Sequence, residues 1–152
     1  MPSYIVTCEE GRLTESQKSQ IAEAVTRAHG ESTGAPYYFV RLTFNEVKSG
    51  NYFLGGTQIN GDEIFVHGTI RDGRPKDMKD ALMARLAADV AMASQMKPNS
   101  VWVYLSELSP NQMIEFGRVL PLHGKEAEWS AALPEAEKAC LENIGLCKEV
   151  VA

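Results

Sequence analysis

The chain has 152 residues, of which 44% are hydrophobic and 23% charged, and its formal net charge at pH 7 is −5. This length and composition predict one domain with a buried core and exclude a mainly disordered protein. Lysine and arginine form no cluster, which argues against nucleic-acid binding. The sequence contains no run of 18 apolar residues, so no membrane span is predicted.

The first predicted element is a strand at about residues 3–7, directly after Pro2. Methionine before so small a residue is normally removed, which would leave Pro2 as the first residue with a secondary amine. Chain ends usually fray, but a strand starting at Ser3 would hold this one in a sheet. A terminal amine titrates near pKa ~7.7–8.0, so it can act as acid, base or nucleophile. The alternative is that Pro2 belongs to a common start sequence and has no role.

The first helix is predicted to begin at Thr14, because Gln17 three residues later completes a capping box. One apolar helix face follows, formed by Ile21, Ala24, Val25 and Ala28. We expect His29 and Gly30 to end this helix, since glycine is a usual stop residue. Aromatic and branched residues predict the second strand at residues 37–44.

The second half repeats the order strand, helix, strand. Residues 63–70 predict a strand, and Gly73-Arg74-Pro75 predicts a turn whose proline suits a first helical turn. The following helix is expected to reach about Ser94, and residues 100–106 predict the last long strand. Between the halves, the glycines of residues 48–61 predict a loop with a hairpin.

The remainder of the chain, from Pro110, differs in composition from both halves. Its apolar residues stand singly among polar ones, and a short helix is predicted around residues 135–143. We call the chain from Pro110 onward the tail, and residues 125–152 are its C-terminal part.

The two halves are related by a shift of 62 positions without a gap. The shift aligns residues 10–12 with 72–74, 18–25 with 80–87, and 39–44 with 101–106. This constant offset indicates an internal duplication, with pseudo-repeats at residues 2–61 and 62–124. Most candidate reactive residues change type between the repeats: Pro2 aligns with Ile64 and His29 with Ala91. Only Arg74 keeps its type, at Arg12. We therefore expect one composite site per chain instead of two.

The predicted fold class is α/β (α+β), a single domain over residues 1–152. Strands separated by a helix run parallel with a right-handed crossover, so each half forms a βαβ unit. Two fused units give a four-stranded sheet with two helices on one face. The other face is left bare, which suggests self-association.

The cysteines and histidines predict neither a disulfide framework nor a metal site. Cys8, Cys140 and Cys147 make an odd count without a CxxC motif, which is typical of reduced thiols in a cytoplasmic protein. The three histidines lack metal-ligand spacing. The first residues do not form a charged segment followed by an apolar block, so the sequence predicts no signal peptide and we expect a cytoplasmic protein.

Arg71 and Arg74 are the candidate anion-binding residues. They flank the turn between a predicted strand and a helix N-terminus, where two guanidinium groups could converge on one carboxylate or phosphate. Two solvated surface charges are an equally open interpretation. His29, Tyr104 and Glu115 are further candidates, as a cation at a helix end, a strand tyrosine and a base in a partly buried tail.

The chain resembles the tautomerase superfamily, and more narrowly the cis-3-chloroacrylic acid dehalogenase group, from Pro2 to about Trp129. The resemblance rests on six matched places: Pro2, Ala28-His29, Phe65-Val66-His67-Gly68, Arg71-Asp72-Gly73-Arg74, Val101-Trp102-Val103-Tyr104 and Met113-Ile114-Glu115-Phe116-Gly117-Arg118.

The resemblance implies a tautomerase-like homotrimer without a cofactor or metal ion, whose partner is a small carboxylate substrate. By position it implies that His29, Arg71 and Arg74 hold the carboxylate. Tyr104 and Glu115 would activate a water for attack at C3, and cationic Pro2 would protonate C2. A cis-3-haloacrylate would thus give malonate semialdehyde and halide.

Other functions remain open. In a keto–enol tautomerase of 2-oxo acids such as phenylpyruvate, with low dehalogenase activity, Pro2 would act as the base. Related malonate semialdehyde decarboxylases pair the proline with an aspartate near the second strand. Tyr37 and Tyr38 stand in that region, which counts against decarboxylation. A non-catalytic binding module on the same fold is a further possibility. Residues 31–38 are expected to line the entrance.

Overall fold

The computed structural model describes residues 2–61 and 63–144. Two strand–helix–strand units are followed by a hairpin and two short helices. In chain order the elements are β1 (Ser3–Glu9), α1 (Glu15–Thr33), β2 (Arg41–Val47), β3 (Phe53–Leu54), β4 (Thr57–Gln58), β5 (Ile64–Arg71), α2 (Lys76–Ser94), β6 (Val101–Leu108), β7 (Ile114–Glu115), β8 (Arg118–Val119), α3 (Glu126–Ala131) and α4 (Glu135–Glu142).

The four long strands form one sheet in the order β2-β1-β5-β6. Each unit contributes a parallel pair, and the units join through the antiparallel pair β1–β5. Alternate strand residues and the buried faces of α1 and α2 form one core cluster, which includes Tyr4, Val66, Ile21 and Leu86. The predicted fold, two βαβ units in a four-stranded sheet covered by two helices, is confirmed.

Helix α1 begins as predicted but ends later. Thr14 caps its first turn, and the capping box with Gln17 is present. The helix continues past His29 and Gly30 to Thr33, and Gly34 closes it with a φ of 73°. The predicted end at Gly30 is wrong because this glycine makes room for a neighbour. A Cβ at Gly30 would lie 2.3 Å from Cε1 of Tyr37.

The second strand also begins later than predicted. Residues Tyr37–Phe39 form a 3-10 turn, and β2 covers Arg41–Val47. The aromatic residues that suggested a strand serve tertiary packing instead. Phe39 is buried against Leu120, together with Tyr38, Met113 and Trp129. We call this group the aromatic cluster.

The two units differ by one residue, so the gap-free alignment is wrong from the helices onward. In the first unit Glu9 pairs with Val47, 38 residues later, whereas in the second Arg71 pairs with Leu108, 37 residues later. The offset is therefore 62 for the first strand of each unit and 61 afterwards. The additional residue lies before α1, where Leu13 is buried in the core.

The connector and the tail contain the short elements. The predicted connector hairpin is confirmed as β3–β4, and the predicted terminal helix as α4. The tail also contains an unpredicted hairpin, β7–β8, which turns at Phe116 and Gly117 with positive φ angles of 52° and 72°.

The sheet face opposite the helices is uncovered in the single chain. Ile5, Trp102 and Tyr104 are large side chains exposed on it. Within the described residues, no helix combines the length and apolar character that a membrane crossing requires. Cys8 and Cys140 carry free thiols, and Cys147 lies outside the described residues.

Candidate functional site

Pro2 lies at the end of the sheet where β5 also ends. It is buried, and its carbonyl accepts a hydrogen bond from the amide of Arg41 at 3.1 Å. Because β1 and β5 are antiparallel and Ser3 pairs with Thr69, Pro2 stands beside the last residues of β5. The pairing of β1 with β2 and β5 thus brings Pro2 close to Arg71.

His29 is fully buried in the last turns of α1, next to β1. Its Nδ1 is 2.8 Å from the hydroxyl of Tyr4, which is also fully buried. Burial, followed by the positive charges of Arg74, the amino terminus and Arg71, lowers the pKa of His29 to about 3. His29 is therefore a neutral imidazole at pH 7, not the helix-end cation suggested by the sequence.

Arg71, the last residue of β5, is almost completely buried under the tail. Its Nη1 donates to the carbonyl of Pro121 at 2.5 Å, and its Nη2 donates to Oε1 of Glu126. Partial burial works to raise the pKa of Glu126, but the hydrogen bond and charge of Arg71 outweigh it and leave this pKa lowered. The tail thus binds both terminal nitrogens of the Arg71 guanidinium, and Nε is left without a hydrogen-bond partner.

Arg74 follows in the turn before α2. Its Nη1 donates to the carbonyl of Arg71 at 2.9 Å, so the predicted convergence of the two arginines across the turn is present. Burial and the charge of Arg71 lower the pKa of Arg74. Arg74 also acts electrostatically on Tyr4, whose pKa burial raises, so the phenol keeps its proton.

These residues share one unusual property. Among the described residues, three buried side-chain nitrogen and oxygen atoms have no hydrogen-bond partner, and they are Nε2 of His29, Nε of Arg71 and Nε of Arg74. Buried donors are almost always satisfied, and one left unpaired costs about 1–3 kcal/mol. Two of the three atoms are guanidinium donors, and the three residues are close enough to influence one another's pKa. Together they indicate a site prepared for an acceptor.

Tyr104 and Glu115 are not part of this buried group in the single chain. Tyr104 lies on the uncovered sheet face, where its ring is 5.0 Å from that of Phe65. Glu115 is half-buried in β7, paired across the hairpin with Arg118. The hairpin packs on the aromatic cluster, since the rings of Phe116 and Phe39 are 6.1 Å apart.

The unpaired nitrogens are closed off from solvent. One groove of about 420 Å³ runs between α1 and the segment of Tyr37 and Tyr38. In the described part of the chain, no group of three or more His, Cys, Asp or Glu side chains is arranged to hold a metal ion.

Sequence reasoning missed two side chains that hold the group. Tyr4 shares a strand face with Pro2, two residues away, and this alternation was available in the sequence. Glu126 lies 55 residues from Arg71 and gave no local pattern. The carboxylate that the sequence analysis singled out was Glu115, as a candidate base.

Comparisons with known proteins agree with this architecture. Residues 1–133 match the family model described as putative oxalocrotonate tautomerase enzyme. A crystal structure of N1, a member of the cis-3-chloroacrylic acid dehalogenase family, is 32% identical, with a TM-score of 0.91 over 93% of this chain and 99% of that one.

Two further relatives cover less of the chain. A probable tautomerase of Bacillus cereus is 40% identical over 60 residues, which are 97% of that protein and 40% of this chain. A fused 4-OT described as an asymmetric trimer is 23% identical, with a TM-score of 0.72 over 77% of this chain and 94% of that one. That level of identity shows a common fold only.

Proposed function

The chain belongs to the tautomerase superfamily, and within it to the cis-3-chloroacrylic acid dehalogenase group, and from this premise we propose that it is a cofactor-independent hydratase of three-carbon unsaturated carboxylates. Dehalogenation is one outcome of that hydration, when the substrate is a cis-3-haloacrylate. The observation that carries the proposal is the set of three unpaired buried nitrogens on His29, Arg71 and Arg74, of which the two guanidinium nitrogens are donors.

The charges around these donors suit a monoanion. Arg71, Arg74 and a cationic Pro2 contribute three positive charges, Glu126 and Glu115 contribute two negative charges, and His29 is neutral. The sum is one unbalanced positive charge, which a single carboxylate neutralises. A carboxylate also has enough lone pairs to accept from all three donors.

In the proposed reaction, Glu115 removes a proton from water as the oxygen attacks C3 of the acrylate. The carboxylate receives the electron density, and the arginines stabilise the enediolate-like charge. Pro2, as a cationic secondary amine, then gives a proton to C2. With a halogen on C3, the resulting halohydrin loses hydrogen halide and gives malonate semialdehyde.

Tyr104 enters this scheme only through a neighbouring copy of the chain. It lies on the sheet face away from His29, and we therefore infer that it does not activate water in its own chain. In a homotrimer packed through the uncovered sheet faces, Tyr104 would reach the site of the next subunit. Relatives of the same fold are described as trimers, which supports this arrangement.

Keto–enol tautomerisation of a 2-oxo acid is the second candidate, and the relatives named probable tautomerase favour it. There Pro2 is a base, so its amine must be free at neutral pH. An NMR titration of labelled Pro2 distinguishes the two reactions. A cation that persists well above neutral pH supports hydration, and a free amine at pH 7 supports tautomerisation.

The direct test is turnover of cis- and trans-3-chloroacrylate, propiolate and phenylenolpyruvate by the wild type and by Pro2→Ala. We expect the wild type to hydrate the cis isomer and propiolate, and Pro2→Ala to lose about 10²–10⁴ in kcat, the range for a general acid. Arg74→Ala should mainly raise KM, and Glu115→Gln should mainly lower kcat.

Arg12→Ala is the matched control, because Arg12 holds the position of Arg74 in the other unit. It should keep wild-type turnover. Equal activity of wild type and Pro2→Ala would overturn the mechanism. A folded wild type that turns over none of the four compounds would favour a non-catalytic binding module.

A further inference from the structure

The paired side chains of Tyr4 and His29 carry an inference beyond the binding of a carboxylate. Their polar atoms are 2.8 Å apart, and neither residue is exposed to solvent. The far nitrogen of the ring, Nε2, has no partner. In a neutral imidazole only one nitrogen bears hydrogen, so the bond at Nδ1 decides whether Nε2 is a donor or an acceptor.

Two arrangements fit the distance between Tyr4 and His29. Either the phenol donates to Nδ1, or the Nδ1–H donates to the phenol oxygen. The first is the stronger hydrogen bond, because a phenol is more acidic than a neutral imidazole N–H and an imidazole nitrogen is more basic than a phenol oxygen. The second would also leave the buried phenol proton in need of another acceptor.

We propose that Tyr4 is a positioning residue that donates its hydroxyl proton to Nδ1 of His29 and so fixes the hydrogen of the imidazole on Nε2. His29 thereby becomes a neutral hydrogen-bond donor aimed at the bound anion. The inference rests on the proposed function only where it names that anion as the substrate carboxylate.

The ionisation states of Tyr4 and His29 agree with this assignment. Burial lowers the pKa of His29 to about 3 and raises the pKa of Tyr4 above its ordinary value. Both groups are therefore neutral across the physiological range, and the pair shares two protons. One lies in the bond between them, and the other is left on Nε2.

The sheet is built to hold the tyrosine ring in this place. Tyr4 pairs across the strands with Gly68, and a Cβ at Gly68 would lie 2.5 Å from Cε1 of Tyr4. It would also lie 2.9 Å from Cδ2 of Leu105. The missing side chain at position 68 thus makes the space that the ring fills, and the orientation of the phenol follows from packing.

The experiment is long-range proton–nitrogen NMR of the histidine-labelled full chain at pH 7, without substrate. His67→Gln and His123→Gln assign the other two rings. We expect a pyrrole-type resonance for Nε2 of His29 and a pyridine-type resonance for Nδ1. In Tyr4→Phe, which keeps the ring and removes the hydroxyl, the two resonances should move toward averaged values.

Kinetics provide an independent reading. Tyr4→Phe should raise KM for the carboxylate roughly threefold to tenfold, part of the effect of losing a hydrogen bond to a charged group, with kcat changed less than KM. Wild-type protein with hydrogen on Nδ1 would overturn the proposal, whether or not Tyr4→Phe folds. So would a Tyr4→Phe variant with an unchanged tautomer. Neither result depends on turnover, so a failure here is distinct from a failure of the proposed reaction.

Discussion

At the scale of single residues, the buried neutral state of His29 makes stability depend on pH. Its pKa is about 3 in the folded chain, against an ordinary value of 6.5. The unfolded chain therefore binds the proton first. The stability is fully present above pH 6.5 and is lost as the pH falls toward 3, with a slope of at most roughly 1.4 kcal/mol per pH unit.

Urea unfolding between pH 7 and pH 5 measures this slope. His29→Gln should flatten it, whereas His67→Gln, on the other sheet face, should keep it. A slope that is the same in all three proteins would show that His29 is not the group responsible.

Glu126 is expected to matter through Arg71. Glu126→Gln removes the charge that faces a guanidinium with only 1% exposure, so we expect a loss of about 1–3 kcal/mol in unfolding free energy. Glu128→Gln, an exposed neighbour on α3, is the control. Equal stability of the two variants in urea would contradict this role.

The sequence allowed the arginines to be placed together but not their partners. Arg71 and Arg74 are three residues apart in one turn, and local spacing is enough to predict that they meet. Glu126 reaches Arg71 only because the tail folds back over the end of β5, a long-range contact with no local pattern. The sequence placed Tyr104 in a strand, but its position on the uncovered face was not predicted, and which subunit it serves depends on assembly.

At the scale of the secondary elements, Gly30 couples α1 to the turn at Tyr37. Glycine inside a helix normally costs about 1 kcal/mol relative to alanine, so Gly30→Ala should stabilise an isolated helix. Here the new Cβ would lie 2.3 Å from the Tyr37 ring and 3.1 Å from the carbonyl of Ala35. We expect a net loss of about 1–2 kcal/mol from overpacking.

Gln20→Ala, at an exposed position of the same helix, serves as the comparison for Gly30→Ala in urea unfolding and should be neutral within about 0.5 kcal/mol. A Gly30→Ala chain with a higher unfolding free energy than the wild type would show that the Tyr37 segment moves aside without destabilising the fold.

The elements themselves were largely predictable, and the errors share a cause. The capping box at Thr14 and the apolar face of α1 are local patterns, and they gave the correct helix start. The wrong helix end at Gly30 and the early second strand both came from residues whose types serve tertiary packing. Gly30 receives Tyr37, and Phe39 completes the aromatic cluster, so neither follows its local preference.

At the scale of the whole molecule, the uncovered sheet face bears on catalysis. If Tyr104 acts in the site of a neighbouring subunit, each site takes Pro2 from one subunit and Tyr104 from the next. Pro2→Ala and Tyr104→Phe then remove groups that different subunits supply to the same site. Each variant alone is expected to be nearly inactive. Co-expressed in equal amounts, they should regain about a quarter of wild-type activity, because random cyclic assembly leaves that share of sites intact.

Activity per chain and the molar mass from light scattering should be measured on the same co-expressed sample. If Tyr104 serves its own chain, no intact site forms and no activity returns. A monomeric wild type would exclude the trimer directly.

The additional residue before α1 makes the two ends of the sheet unequal. Leu13 fills the core there. Arg12, the counterpart of Arg74, uses its Nε to donate a hydrogen bond to the carbonyl of Gly61 at 2.8 Å. Side chains thus fill the end of the sheet opposite Pro2. The end at Pro2, in contrast, keeps unpaired nitrogens that can bind an anion. An assembly of three chains would hold three reaction centres, not six. An alkylating acid that abolishes turnover should leave a single adduct on each polypeptide.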